Sequence, residues 1–350
     1  MFVRIVNLIL PVLLCSELLF SQDLVREATF DVSTQISPHD QGHHGMVVIA
    51  HRGASGYLPE HTLAAYSLAY GMGADFIEQD VVLTKDNHPI VLHDVHLDTV
   101  TDVATRFPDR KRDDGRYYAI DLTLDEIREL SVHERVDAKT GKAVFPGRFP
   151  VGLSAFKIPT LIEAIELVVG LNRSTGRSVG IYPEIKKPRW HREQGKDISA
   201  IVLRTLSDLG YSESGDQIFL QCFDSIELKR IREDLGCKLR LVQLIGSNDW
   251  AEAEADYDAI VTKEGLDNVR EYADGIGPWI PLILEPKQGE GEFVVTDLVT
   301  NAHEIGLVVH PFTLRADSLP DYASDIKKLA EMLQEIGVDG FFVDHCDQVR

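Results

Sequence analysis

VVIAHRGASGYLPEHTLAAYSLAYGMGADFIEQDVVLTKDNHPIVLHD, residues 47–94, contains three apolar runs that each carry or end in ionisable side chains. The first run ends at His51-Arg52, the second carries Glu78 and Asp80, and the third ends at His93. Because strand side chains alternate between the two faces of a sheet, Glu78 and Asp80 point to the same side. A protein core does not need acids and imidazoles at the ends of consecutive strands, whereas a metal-assisted active site does.

Apolar runs of strand length alternate with amphipathic runs of helix length along the rest of the chain. We expect strands at Met46–His51, Phe76–Leu83, Val179–Ile185, Gln217–Phe223, Leu239–Leu244, Trp279–Leu284, Leu307–Pro311 and Gly340–Val343. Eight βα repeats predict an α/β fold of the (β/α)8 TIM-barrel class, over residues 46–350. A doubly wound open sheet is the alternative, but residues 53–56 do not match the glycine-rich fingerprint expected after its first strand.

A polar stretch interrupts this repeat once, after the second βα region. It covers about residues 95–158 and contains one helix-like segment, 123–130. So long a stretch predicts a small insertion over one mouth of the barrel. Loops at that end of a barrel carry function, so we expect the insertion to shape the substrate pocket, the alternative being a structural cap.

Composition narrows the class of partner. The chain has 350 residues, of which 44% are hydrophobic and 26% charged, as in ordinary globular proteins. Its formal net charge of −21 argues against a nucleic acid or an anionic membrane as the main partner, because both require clustered Lys and Arg. An acidic protein still binds a small phosphate ester where a cation and a few basic residues make the site locally positive.

The N-terminal residues have the pattern of a secretory signal. One Arg precedes an apolar run from Ile5 to Leu14, too short for a membrane span. We predict a signal peptide at 1–22, a lead-in segment at 23–45 and export of the protein, the alternative being an uncleaved anchor.

Three cysteines would remain after cleavage: Cys222, Cys237 and Cys346. An odd number cannot all pair within one chain, and none has metal-ligand spacing. We predict buried or free thiols, the alternative being a Cys222–Cys237 disulfide.

Three acids are candidate metal ligands. Glu78 and Asp80 would repel one another without a cation between them, and Glu184 adds a carboxylate at the end of the next predicted barrel strand. Hard divalent ions such as Ca²⁺ and Mg²⁺ prefer oxygen ligands. The three acids therefore predict a site for one of these ions.

Two histidines and two cations complete the predicted site. His51 and His93 both follow apolar strand segments, and a pair of imidazoles can divide proton removal and proton delivery. Arg52 can bind phosphate oxygens through two parallel hydrogen bonds, while Lys186 would act as a point charge. The alternative for both cations is an ion pair with the neighbouring acids.

The pattern HR…ExD…H resembles that of the glycerophosphodiester phosphodiesterase family. Later segments resemble its periplasmic, glycerol-3-phosphate-releasing bacterial branch: IYPEIKKPRWHREQGKDI (181–198), FLQCFDSIELKRI (219–231), LVQLIG (241–246), EYADGIGP (271–278) and VVHPFTLRADSLP (308–320). The resemblance therefore runs from about residue 46 to the C-terminus, and it implies a TIM barrel, a Ca²⁺ cofactor with Mg²⁺ accepted in some relatives, and a periplasmic location.

The resemblance also assigns roles to individual residues. It implies that Glu78, Asp80 and Glu184 bind the metal, that Arg52 and Lys186 contact phosphate, and that Glu60 lies near the site. The segment PEHT at 59–62 departs from the more common PENT through His61. Four residues at later strand ends match positions that line the glycerol and phosphate pocket in relatives, with ordinary barrel packing as the alternative: Gln221, Phe223, Trp279 and Phe312.

The implied reaction is metal-dependent hydrolysis of a glycerophosphodiester, such as glycerophosphocholine or glycerophosphoethanolamine, to sn-glycerol 3-phosphate and an alcohol. Related phospholipases imply His51 as base and His93 as acid. They leave two routes open, attack by the glycerol 2-hydroxyl through a cyclic phosphate and direct attack by water. The alternatives are a phospholipase-D-like or cyclising enzyme acting on lysolipids, and an exported binding protein without turnover.

Overall fold

The computed structural model describes residues 46–152, 155–287 and 291–350 of the chain. The predicted signal peptide at 1–22 and lead-in segment at 23–45 lie outside these ranges. Within them, no helix is both long enough and apolar enough to cross a membrane.

Eight parallel strands form the central sheet: β1 (Val47–Ala50), β2 (Phe76–Leu83), β4 (Gly180–Ile185), β5 (Phe219–Cys222), β6 (Arg240–Ile245), β7 (Gly275–Pro278), β10 (Val308–Val309) and β11 (Gly340–Val343). Their order is β10-β7-β6-β5-β4-β2-β1-β11. The two ends of the sheet meet, because Asp339 N–H donates to Val309 C=O at 3.0 Å and Phe342 N–H donates to Pro311 C=O at 2.9 Å. The sheet is thus a barrel, as predicted, and the open doubly wound alternative is excluded.

Three short strands lie outside the barrel. β3 (Pro89–Val91) pairs antiparallel with β2, while β8 (Leu284–Pro286) and β9 (Phe293–Val295) form a separate antiparallel pair.

Helices follow the strands in the alternation that the sequence predicts. They are α1 (Leu63–Gly71), α2 (Val103–Arg106), α3 (Leu124–Glu129), α4 (Leu161–Thr175), α5 (Pro188–Glu193), α6 (Ile198–Asp208), α7 (Ser225–Glu233), α8 (Tyr257–Ile260), α9 (Lys263–Arg270), α10 (Leu298–Glu304) and α11 (Ile326–Ile336). Local signals set their ends. In α4, Thr160 and Glu163 form a reciprocal capping box, and Gly176 ends the helix at φ 72°.

One predicted strand is wrong. The segment Trp279–Leu284 contains a 3₁₀ turn at Ile280–Leu282, and the barrel strand lies just before it, at Gly275–Pro278. The strand is hidden in the sequence because glycine carries no apolar side chain. Glycine is nevertheless required there, since a Cβ on Gly275 would come within 2.5 Å of the Val308 side chain.

The barrel interior is filled by large side chains. Ile49, Phe76, Tyr182, Phe219, Val242 and Phe342 form this buried cluster. A packed floor of this kind leaves the C-terminal mouth of the barrel as the open end.

The insertion enters between β2 and α4. It has a hydrophobic cluster of its own, which includes Leu97, Leu122, Ile127 and Leu130 and packs on Val82 of β2. The insertion is therefore a folded unit attached to one side of the barrel.

The three cysteines are buried and free, as predicted.

Candidate active site

A cavity of about 310 Å³ opens at the C-terminal ends of the barrel strands. Every predicted site residue except Glu60 lines it: His51, Arg52, Glu78, Asp80, His93, Glu184, Lys186, Gln221, Phe223, Trp279 and Phe312. These residues come from seven different strands or strand ends. Six of the strands are parallel and deliver their residues to one place because their C-termini meet at one mouth, while His93 follows the antiparallel β3.

The acids lie together on β2 and β4. Glu78 and Asp80 are both buried, and Asp80 stands in register with Glu184 on the neighbouring strand. Burial raises the pKa of Glu78 well above its usual range, and the nearby Asp80 adds to the effect. Burial also raises the pKa of Glu184 to about 8, although Lys186 opposes this. Such a cluster is electrostatically unfavourable without a cation.

The donor set fits a metal ion. Oδ1 of Asp80 is buried and has no hydrogen-bond partner among the described residues. Ligand atoms of His61, Glu78 and Asp80 lie within 4.8 Å of one another. His61, which the sequence marks only as a departure from PENT, contacts Asp80 Oδ2 through Nε2 at 2.7 Å. Glu184, the third predicted ligand, instead pairs with Lys186 at 2.8 Å.

His51 is held by a carboxylate from the last strand. Its Nδ1 lies 2.7 Å from Oδ1 of the buried Asp344. Arg52 Nε donates to the other ring nitrogen, Nε2, at 3.3 Å, which requires an unprotonated acceptor there. Burial, with help from Arg52, lowers the pKa of His51 to about 3. His51 is therefore neutral near pH 7, with its Nδ1–H donating to Asp344.

His93 has a similar partner next to it in the chain. Its Nδ1 lies 2.8 Å from Oδ1 of Asp94. Burial lowers the pKa of His93 to about 4, and Arg52 and Lys186 lower it further. A negatively charged ligand beside His93 would act in the opposite direction and favour its protonated form.

Arg52 occupies a strained backbone position, at φ 58°. Its N–H donates to Glu78 at 2.6 Å, so the backbone of the first loop is tied to the acid cluster. Its guanidinium contacts both carboxylate oxygens of Glu60 at 3.1 Å. Glu60 thus lies behind Arg52, which explains why it does not line the cavity.

Arg52 and Lys186, the two residues predicted to contact phosphate, both form ion pairs with acids of the site. Arg52 Nε lies 3.6 Å from Asp80, and Lys186 Nζ lies 2.8 Å from Glu184 and 3.7 Å from Asp80. An incoming anion must therefore compete with the acids for these cations, unless a bound metal ion takes the carboxylates.

Aromatic rings also line the cavity. Phe223 and Phe312 meet edge-to-face with ring centroids 5.8 Å apart. Trp279 meets Trp250, whose centroid lies 5.0 Å away. Trp250 and Glu252 line the cavity and were not predicted. These rings can accept the apolar carbon skeleton of a small polyol, while Gln221 Oε1, which is buried without a partner among the described residues, offers it an acceptor.

Sequence reasoning also missed Asp344, which contacts His51, and two arginines that contact the carboxylate partners of the histidines. Asp344 follows β11 directly, so the rule that singled out His51, a polar side chain after an apolar strand, could have found it. Arg135 and Arg148 lie in the insertion, where no local pattern marks them. None of the described insertion residues lines the cavity, so the expectation that the insertion shapes the pocket directly is wrong.

The chain is similar to known proteins over nearly its whole described length. The model of the glycerophosphoryl diester phosphodiesterase family matches residues 51–348. A glycerophosphodiester phosphodiesterase of Haemophilus influenzae is 43% identical over 319 residues, which cover 86% of this chain and 88% of that protein. One of Treponema pallidum is 36% identical over 321 residues, covering 86% and 90%.

Solved structures share the fold. A crystal structure from Silicibacter pomeroyi has a TM-score of 0.66 at 24% identity and covers 88% of this chain and 93% of its own. An Oleispira antarctica phosphodiesterase, solved in complex with the product sn-glycerol-3-phosphate, has a TM-score of 0.58 at 21% identity and covers 86% and 94%. With the family match and the two bacterial relatives, the barrel and its mouth identify the chain as a member of the glycerophosphoryl diester phosphodiesterase family, with glycerophosphodiester phosphodiesterase activity.

Proposed function

We propose that the protein hydrolyses deacylated phospholipids, such as glycerophosphocholine and glycerophosphoethanolamine, to sn-glycerol 3-phosphate and the free alcohol. The observation that carries this proposal is the pair of imidazoles in one cavity with three acids and two cations. The Oleispira antarctica phosphodiesterase, which was crystallised with sn-glycerol-3-phosphate, supports the choice of product.

His51 acts as the general base in this proposal. Because Nδ1–H donates to Asp344, Nε2 keeps its lone pair, and the low pKa of His51 keeps the ring neutral. A neutral imidazole can accept the proton of the attacking hydroxyl group as that group bonds to phosphorus. The attacking group is either the glycerol 2-hydroxyl or water.

His93 acts as the general acid. Asp94 fixes its ring through Nδ1, so that Nε2 is the atom from which a proton passes to the leaving alcohol oxygen. The substrate's negative charge counteracts Arg52 and Lys186, which lower the pKa of His93 in the free site.

Arg52 and Lys186 bind the phosphodiester. Arg52 offers a planar fork to two non-bridging oxygens, while the buried Lys186 contributes one fixed positive charge. Both groups stabilise the additional charge of the transition state, because they are largely buried and already oriented at the cavity.

Glu78 and Asp80, with Glu184 or His61, would hold a divalent cation, Ca²⁺ or in its place Mg²⁺. When bound, the ion supplies Lewis-acid stabilisation to a phosphoryl oxygen. The carboxylates of Glu78, Asp80 and Glu184 line the cavity and present oxygen atoms to it, whereas His61 would contribute a ring nitrogen. The aromatic side chains of the cavity are left free for the glycerol group.

Release of glycerol 3-phosphate from glycerophosphocholine, measured in an assay coupled to glycerol-3-phosphate dehydrogenase, tests the reaction. His51→Ala and His93→Ala should each lower kcat by at least about 10²-fold, the usual size of an acid–base effect. His303→Ala is the matched control, because His303 pairs with Asp339 on the surface. Near-normal turnover in either active-site variant would overturn the role assigned to that histidine.

We also propose that the protein is exported and works in the periplasm. The charged and apolar pattern of residues 1–22 supports this. Cell fractionation combined with N-terminal sequencing tests it, and recovery of the uncleaved chain in the cytoplasm would contradict it.

A further inference from the structure

The insertion reaches both histidines through a matching pair of contacts. Asp344 contacts the Nδ1 of His51. Arg148, which lies in the insertion, donates from Nη2 to Oδ2 of Asp344 at 2.7 Å. Asp94 contacts the Nδ1 of His93. Arg135, which also lies in the insertion, donates from Nη1 to Oδ2 of Asp94 at 2.6 Å. Each histidine is therefore linked through a carboxylate to an arginine of the insertion. We call these two chains of contacts the His51 line and the His93 line.

Arg148 is buried and held by several contacts besides the one with Asp344. Its side chain is 5% exposed, and its guanidinium also grips Asp317 through two bonds of 2.7 and 3.0 Å. Nη1 donates to the Ser55 carbonyl at 3.2 Å, and the guanidinium lies 3.7 Å over the Phe145 ring. Arg148 thus fixes Asp344 relative to the loop that carries His51, since Ser55 Oγ donates to the His51 carbonyl at 2.8 Å.

Arg135 holds two carboxylates at once. Besides Asp94 it contacts Glu60 through bonds of 2.6 and 3.0 Å, and Glu60 in turn holds Arg52. Arg135 therefore connects the partner of His93 with the residue proposed to bind phosphate.

We propose that Arg148 and Arg135 of the insertion are positioning residues, which orient His51 through Asp344 and His93 through Asp94. This inference rests on the proposed acid–base roles of the two histidines. Arg315 Nε also donates to Asp344 Oδ2 at 3.0 Å, so loss of Arg148 would leave Asp344 with one arginine, while loss of Arg135 would remove the arginine that holds the half-buried Asp94. A carboxylate held by fewer donors would move, and the imidazole would lose its fixed orientation and tautomer. The insertion assists catalysis in this way without lining the cavity.

The first test concerns the His51 line. Arg148→Met should lower kcat for glycerophosphocholine by about 10- to 10²-fold with little change in KM, because misplacing a catalytic group has effects of that size and Arg148 does not line the cavity. Asp344→Asn should lower kcat by at least about 10²-fold, since an amide can present N–H to Nδ1 and favour the wrong tautomer.

Arg112→Met is the matched control. Arg112 is another insertion arginine, it forks onto Asp121 at 2.7 and 2.8 Å, and it lies 4.0 Å over the Tyr118 ring. It has the same kind of contacts as Arg148 but no contact with either histidine line, so its kcat should remain within about twofold of the unmodified protein. An equal loss in Arg112→Met and Arg148→Met would overturn the proposal in favour of a merely structural insertion.

Ring ¹⁵N NMR shifts of His51 supply a readout that a structural role would not change. The unmodified protein should show His51 protonated at Nδ1, and Arg148→Met and Asp344→Asn should show a mixture of tautomers. If Arg148→Met fails to fold, Arg148→Lys, which keeps the charge but cannot form the forked contact, replaces it with the same expectation. An unchanged tautomer together with unchanged kcat would refute the proposal.

Arg135→Met supplies the second test. It should lower kcat and raise KM, because Asp94 and Glu60 both lose a donor and Glu60 in turn orients Arg52. An unchanged KM and kcat would refute this half. His51→Ala separates the two hypotheses: if it is inactive while Arg148→Met and Asp344→Asn match the control, the proposed function stands and only the positioning role fails.

Discussion

Glu134 is a buried acid in the insertion, and replacing it with glutamine should change how stability depends on pH. Its side chain is 3% exposed, and Oε2 has no hydrogen-bond partner among the described residues. Burial, with a contribution from Glu60, raises the pKa of Glu134 from 4.5 to about 7, while Arg148 and Arg135 oppose the shift.

The sign of the effect follows from proton linkage. Below pH 4.5 both the folded and the unfolded chain hold the proton, and the contribution of the raised pKa to stability is fully present. As pH rises towards 7, the unfolded chain releases the proton first, so the free energy of unfolding falls. For these two pKa values the loss between pH 5 and pH 8 is about 2.5 kcal/mol.

Glutamine cannot ionise, so Glu134→Gln removes this loss. Urea unfolding at pH 5, 6, 7 and 8 should show the variant gaining about 2.5 kcal/mol relative to the unmodified protein across the series. Any cost of packing the amide cancels, because it is the same at every pH. Glu129→Gln, at an exposed glutamate of the same insertion, is the control and should give parallel curves. Parallel curves for Glu134→Gln as well would refute the reasoning.

Three other changes have definite expected results. Glu78→Gln should weaken Ca²⁺ binding at least about tenfold in isothermal titration calorimetry, whereas Glu285→Gln, at an exposed glutamate of β8, should not. EDTA should abolish turnover and Ca²⁺ should restore it. Full activity after chelation would contradict the metal site. Gly180→Ala should lower the free energy of unfolding by about 1–3 kcal/mol, because its Cβ would lie 2.2 Å from the Phe76 ring. Gly170→Ala in α4, where nothing lies within 4 Å of the added Cβ, should not destabilise the protein. Equal urea midpoints for the two variants would refute this. Phe312→Ala should raise KM for glycerophosphocholine more than it lowers kcat, since the ring lines the cavity but carries no group that can transfer a proton. A pure kcat defect would contradict that role.

The sequence was sufficient for the barrel and for most of the site because both follow local rules. Apolar strands alternate with amphipathic helices, and side chains just after parallel strands meet at one mouth. His51 follows a parallel strand, and Glu78, Asp80 and Glu184 lie on two others. His93 reaches the same cavity from the antiparallel strand β3, which the rule does not cover. The exception, the strand Gly275–Pro278, breaks the rule because its glycines are selected by close strand contacts, which leave no apolar signal.

The tertiary structure alone decided which residues contact each proposed catalytic histidine. Asp344 lies 293 positions from His51 in the chain, and Arg148 reaches Asp344 from the insertion. Glu60 holds Arg52 instead of lining the cavity, and His61 joins the acid cluster. The sequence by itself was sufficient for the family and for the mouth of the barrel at which the predicted site residues meet. The partners that orient those residues come from distant segments, and an ion pair between distant segments leaves no spacing or periodicity in the chain that sequence analysis could detect.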